Sequence, residues 1–182
     1  MGFMPDPLYV PSYVPTGDER AVIETDLGDV HVTLDGAGAP IHVGNFVELA
    51  EAGFYDGLKF HRFVPGFVIQ GGCPNTRDMT PEQVALGMPG PSGRPGTGGP
   101  GYRIRQEYTT NPRNSHVDGA LAMARSQNPD SAGSQFYLCL GPQHALDSGY
   151  TVFGKADEED FPIIARLRAG SLIKTIRIVH GA

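Results

Sequence analysis

The chain has 182 residues, a formal net charge of −6, 40% apolar and 19% charged residues, and a pI near 5.4. That length fits one domain with a proper core, and the acidic balance argues against nucleic acid as the main partner. No stretch approaches the roughly 20 apolar residues of a membrane helix, so no membrane partner is expected.

The 25 glycines and 16 prolines make the chain turn-rich, but its apolar content is too ordinary for disorder. Cys73 and Cys139 are too few for a disulfide framework and lack metal-ligand spacing. Cys139, inside the apolar run 136–140, reads as an inert core residue, whereas Cys73 follows a glycine pair and is expected nearer the surface. The chain opens without a charged region followed by an apolar one, so the cytoplasm is the expected compartment, and the net negative charge suits a monomer that stays apart from its neighbours.

Residues 1–17 carry Pro5, Pro7, Pro11 and Pro15, which exclude regular helix; they read as an extended N-terminal extension ahead of a domain over 18–182. From Ala21 the pattern is β: Ala21–Thr25, then Val30, Val32 and Leu34 alternating with His31 and Thr33, joined by a turn at Leu27-Gly28-Asp29. His31 is expected on the solvated face. Pro40 opens a helix whose Val43, Phe46, Val47 and Ala50 form one apolar stripe, with Glu48 and Glu51 off it and expected to face solvent, and Gly53 just past its end.

The stretch Phe60–Gly72, FHRFVPGFVIQGG, holds two apolar runs around a Pro65-Gly66 turn. His61, Arg62 and Gln70 interrupt it, polar groups that are costly among apolar ones unless they find partners. A long irregular segment follows, 74–101, in which Thr80-Pro81-Glu82-Gln83 has the form of a helix-opening capping box. Tyr102–Glu107, Gly119–Ala124, Gln135–Leu140, Thr151–Gly154 and Ile173–Val179 read as strands, and Glu159–Arg168 as a second helix. Many short strands with two isolated helices indicate an all-β barrel or sandwich with helical caps.

Several motifs carry less than they suggest. Gly96-Thr97-Gly98-Gly99-Pro100-Gly101 matches G-x-G-x-x-G, yet it follows a loop and leads into a strand, so its glycines serve turns rather than a dinucleotide. The six histidines show no zinc spacing, and Ser134 lies in no nucleophile elbow. No metal site and no cofactor are expected.

FHRFVPGFVIQGG (60–72), GTGGPGY (96–102), GALAMARSQNPDSAGSQFYL (119–138) and TVFGK (151–155) resemble, in order, the signature blocks of the cyclophilin family of peptidyl-prolyl cis-trans isomerases in its bacterial-type form. The resemblance covers about residues 18–180 and implies a closed eight-stranded antiparallel barrel capped by two α-helices. It places the catalytic arginine at Arg62, the substrate-holding glutamine at Gln70, and the proline-pocket residues at Phe67, Val68, Tyr137 and Leu146. Second-site residues fall on Ala124, Arg125, Ser126 and Gln135, with His61 flanking and Tyr150 at the rim. Tyr137 stands where phenylalanine is common, Val68 where methionine is frequent, and Tyr150 where histidine is frequent. Ala145 matches the rim tryptophan associated with tight cyclosporin binding, so cyclosporin is expected to bind weakly.

The chemistry fits those residue types. Rotation about a peptide bond faces roughly 18–20 kcal/mol and takes tens to hundreds of seconds unaided at X-Pro. Reaching milliseconds requires about 7 kcal/mol off the barrier. The twisted amide loses resonance and its nitrogen becomes a better acceptor, so a fixed donor such as Arg62 is bonded more strongly in the transition state. The implied partners are proline-containing peptides and unfolded or partly folded proteins. The alternatives are a non-catalytic module gripping proline segments, or a chaperone.

Overall fold

In a computed structural model the chain describes residues 6–181; Met1–Pro5, the start of the proline-rich segment, and Ala182 lie outside the described residues. Eight strands form one antiparallel sheet: β1 Arg20–Thr25, β2 Gly28–Leu34, β3 Arg62–Val64, β4 Val68–Gly71, β5 Ala120–Met123, β6 Phe136–Cys139, β7 Val152–Ala156 and β8 Ile173–Val179. Their order is β3-β4-β6-β5-β7-β2-β1-β8. The end strands β3 and β8 do not pair directly. The segments leading into them do: Gly57 N–H donates to Ile173 O (2.9 Å), Ile173 N–H to Leu58 O (2.8 Å), Phe60 N–H to Ser171 O (2.9 Å) and Gly170 N–H to Phe60 O (2.8 Å). These bonds curl the sheet into the barrel that the sequence motifs imply.

Helix α1, Pro40–Glu51, lays Val43, Phe46, Val47 and Ala50 on the barrel interior, all buried. There Phe46 packs against Tyr55 (5.3 Å between ring centroids), Phe153 (5.3 Å) and, edge-on, Phe136 (5.8 Å). Fully burying side chains of this kind stabilises by about 1.5–3 kcal/mol each.

The helix starts without a capping side chain of its own. Instead the distant Glu107 carboxylate accepts the amides of Ile41 (3.0 Å) and His42 (2.8 Å), and the His42 Nδ1–H (2.7 Å). An anion at this end also meets the positive pole of the helix dipole. The apparent strand Tyr102–Glu107 is therefore not a strand. Its backbone makes isolated bridges, Leu8 with Arg103 and Ile104 with Ala132, and its last residue turns inward to serve α1.

The capping box forms in full at α2, Pro81–Ala85. The second expected helix is shorter than its sequence suggests: a 3-10 turn, Glu158–Asp160, precedes α3, Phe161–Arg166. His31 keeps its ring on the solvent-facing side as expected, while its amide and Nδ1 both meet Asp160 Oδ2 (2.8 and 2.9 Å).

Glu48 also departs from expectation. It accepts the Tyr9 hydroxyl (2.6 Å) and the Tyr13 amide (2.8 Å), and so ties the extended N-terminal segment to α1. Proline-rich backbone has few amides to offer a sheet, so side-chain anchors such as these add to the Leu8–Arg103 backbone bridge in holding the segment. Tyr13 further donates to Glu19 Oε2 (2.6 Å), and Tyr9 packs on Tyr102 at 4.5 Å.

Candidate active site

Strand alternation creates two faces from runs that look uniformly apolar. Ile69, Leu121, Met123, Phe136 and Leu138 point into the barrel core. Their neighbours Val68, Ala120, Ala122, Tyr137 and Cys139 point the other way and, with Val152, form a second cluster against Phe67, Val117, Ala124, Leu146 and Tyr150. Cys139 is buried there, and burial pushes its thiol up to about 12, which keeps it inert. Cys73, contrary to the surface expectation, is fully buried.

The Pro65-Gly66 turn, with Gly66 at φ +70°, folds β3 onto β4. Register then aligns Arg62 with Gln70, Gln70 with Tyr137, and Tyr137 with Ala122. Four strands thus present one transverse row running from a guanidinium, through an amide, to an apolar floor.

A cavity of about 340 Å³ lies over that row, lined by Arg62, Phe67, Val68, Gln70, Ala124, Arg125, Tyr137, Leu146 and Tyr150. A second hollow of about 300 Å³ shares Gln70, Ala124 and Arg125 with it and adds Ser126, Gln135 and the loop 96–100. The two make one groove. A wider hollow of about 950 Å³ beside β2 and β7 has charged residues such as Arg113, Lys155 and Glu158 around it and none of the expected site residues.

A chain of amides orients the row. Gln135 Nε2 donates to the carbonyls of Gly96 and Gly98 (2.9 Å each), which turns its Oε1 toward Gln70 Nε2 (3.1 Å). Gln70 Oε1 is thereby left facing Arg62 Nη1, at 3.4 Å. That bond is long and exposed, so little is lost when the guanidinium turns to a ligand.

The loop carbonyls are themselves fixed. Gly96 and Gly98 donate their amides to Cys73 Sγ (3.2 and 3.4 Å), and Asn75 Nδ2 holds Arg94 O and Thr97 Oγ1 (3.0 Å each). The glycine motif is thus a turn wrapped on a buried thiol. Nearby, Gly72 adopts φ +90° with the Ser134 carbonyl where a Cβ would stand, so this approach excludes a side chain.

The expected site residues divide by what they touch. His61 lines neither hollow; its ring lies against Gly96, and its Nδ1 is buried without a partner among the described residues. Burial, with Arg62 adding to it, lowers its pKa to about 4, so the ring is neutral at pH 7. Arg125 spends its guanidinium on Gly149 O (2.8 Å from Nε) and Ser126 O (2.9 Å) and lies 4.6 Å over the Tyr150 ring. It locks one rim of the groove more than it offers free donors. Ser126 donates to Ser131 Oγ (2.9 Å). Sequence reasoning missed His116 and Asp147, which stand behind Tyr137: the Tyr137 hydroxyl meets His116 Nε2 at 2.8 Å, and His116 Nδ1 meets Asp147 Oδ1 at 2.8 Å. The available signal was a phenol in an apolar run, which needs a partner when buried.

The eight-stranded barrel thus carries on its outer face an arginine, a glutamine and an apolar pocket in one groove. The family profile described as cyclophilin type peptidyl-prolyl cis-trans isomerase/CLD matches residues 20–180. A peptidyl-prolyl cis-trans isomerase of Synechococcus elongatus is 40% identical over 164 residues, covering 90% of this chain and 98% of that protein. Peptidyl-prolyl cis-trans isomerase B of Bacillus subtilis is 41% identical over 140 residues, 77% of this chain and 83% of that one. Among solved structures, a cyclophilin type isomerase of Cryptosporidium parvum superposes with a TM-score of 0.72 at 25% identity, covering 90% of this chain and 99% of its own. The chain belongs to the cyclophilin-type peptidyl-prolyl cis-trans isomerase family, and its activity class is that of a peptidyl-prolyl isomerase, as the sequence motifs led us to expect.

Proposed function

We propose that the groove accelerates rotation about X-Pro bonds in peptides and partly folded proteins through a single charged donor and an apolar clamp. The row Arg62–Gln70–Tyr137 carries this reading, because it puts a permanent donor beside an apolar pocket with an orienting amide between them. The proline ring enters between Phe67, Val68, Tyr137 and Leu146. Gln70 holds a backbone group of the substrate, and Arg62 donates to the proline nitrogen as it pyramidalises. No bond is made or broken, so the donor's gain between ground and transition state is the catalytic contribution. The hollow at Ala124, Ser126 and Gln135 takes the residues preceding proline. A relative offers support: a Cryptosporidium parvum cyclophilin, 26% identical, was solved in the presence of the dipeptide Ala-Pro.

The test is cis/trans exchange of an Ala-Pro peptide by NMR, for the native chain and Arg62→Ala. Loss of one charge-assisted bond in the transition state should lower kcat by roughly 10²-fold or more. Undiminished exchange in Arg62→Ala refutes the donor role, and binding without exchange in the native chain would mark a proline-gripping module instead.

A further inference from the structure

The pocket floor carries a group that a proline ring does not need, the Tyr137 hydroxyl. Its surroundings are specific. His116 is fully buried, its ring stacked on Tyr137 at 15° with centroids 5.9 Å apart. Asp147 Oδ1 accepts both the His116 amide (2.6 Å) and its Nδ1 (2.8 Å), while Oδ2 meets His144 Nδ1 at 3.0 Å.

The chemistry fixes each proton. A carboxylate only accepts, so His116 carries its hydrogen on Nδ1. Burial outweighs Asp147 and holds the His116 pKa below the ordinary histidine value, so the ring is neutral and Nε2 is an acceptor. The phenol, pushed well above its usual range by burial, keeps its proton and donates it to Nε2. Asp147 also directly follows Leu146, the facing wall of the pocket, in the 3-10 turn His144–Leu146, and its carbonyl accepts Asn114 Nδ2 at 2.6 Å.

We propose that His116 and Asp147 are positioning residues for the proline pocket: the relay Asp147–His116–Tyr137 sets the distance between the Leu146 and Tyr137 walls and turns the Tyr137 hydroxyl away from the proline ring. A tyrosine floor is thereby as apolar to its ligand as a phenylalanine one. This inference rests on the pocket being the proline site. The relay shapes a surface that ground and transition states use alike, so its loss falls on KM, whereas loss of Arg62 falls on kcat.

A double-mutant cycle reads the difference. His116→Phe frees a buried hydroxyl inside the pocket wall and is expected to raise KM for an Ala-Pro peptide about fivefold, the equivalent of one ordinary hydrogen bond. The same substitution in a Tyr137→Phe background should change KM by less than about twofold, because no hydroxyl remains to be misplaced. An equal rise in both backgrounds, or none in either, overturns the relay. Should His116→Phe fail to fold, ¹⁵N spectra of native and Tyr137→Phe protein decide: His116 must be the Nδ1–H tautomer, with an Nε2 resonance that moves when the phenol is removed. An unmoved resonance or the opposite tautomer refutes it. A native chain with no isomerase activity would instead sink the assignment of the pocket, so the two failures are distinguishable.

Discussion

Glu107→Gln is expected to destabilise the fold by about 3–5 kcal/mol. The carboxylate is 4% exposed and accepts three donors at 2.7–3.0 Å, all from the first turn of α1. Glutamine is nearly isosteric but has one acceptor oxygen, so its NH₂ must face one of those donors. One buried donor left without a partner costs about 1–3 kcal/mol, and two charge-assisted bonds reduced to neutral ones cost about 1 kcal/mol more each. Loss of the anion at the helix N-terminus adds at least a few tenths of a kcal/mol. For a chain of this length the sum corresponds to a fall in Tm of roughly 10 °C. Urea unfolding at neutral pH, followed by both far-UV circular dichroism and tyrosine fluorescence, measures it. A loss below about 1 kcal/mol would refute the assignment of Glu107 as the cap of α1, since an exposed or solvated carboxylate behaves that way.

Two further outcomes follow from the same reasoning. Burial alone would raise the Glu19 carboxyl, but the Tyr13 hydroxyl and the amides of Thr16 and Gly17 outweigh it and hold it at about 2. Its folded pKa lies below the unfolded carboxylate value, so the stabilisation is complete above about pH 4.5 and disappears as pH falls toward 2, a contribution of order 3 kcal/mol. Acid unfolding of Tyr13→Phe should therefore begin at higher pH than in the native chain, and coincident curves would contradict the linkage. Cyclosporin should inhibit weakly, because the resemblance puts Ala145, an exposed residue of the 144–146 turn, where the rim tryptophan of tight binders stands. Low-nanomolar inhibition in the exchange assay would show that alignment to be wrong.

What could be read from the sequence was local or carried by a joint pattern. The strands around Val22, Val32, Leu121, Leu138 and Ile176, the α1 stripe and the Thr80–Gln83 box each follow from periodicity or capping within a few residues. Arg62, Phe67 and Gln70 became legible because several motifs occur in order, and β3–β4–β6 register then gathers them around one cavity. What escaped notice depends on distant partners. Glu107 ends a β-like alternation but is recruited by a helix 65 residues earlier. His116 and Asp147 acquire meaning only when β6 brings Tyr137 between them and the pocket. Glu48 looks like a solvent-facing helix residue until Tyr9 and Tyr13 arrive. Cys73 looks exposed until Gly96 and Gly98 fold over it.

The pairing of β1 with β8 has a consequence for how the molecule comes into being. Arg177 Nε, 153 positions further along the chain, donates diagonally to Glu24 Oε2 (3.2 Å) across these strands, Glu24 itself standing opposite Thr175. While the polypeptide is being synthesised, β1 can pair with β2 on one side, but its other edge stays open until β8 leaves the ribosome. Ile173 and Ile176, which complete the interior, arrive at the same late moment. Such non-local topology folds slowly and leaves a sticky strand edge exposed in the meantime. The barrel therefore cannot close until its last strand has been made, and through that interval the open edge of β1 is a site for unwanted pairing.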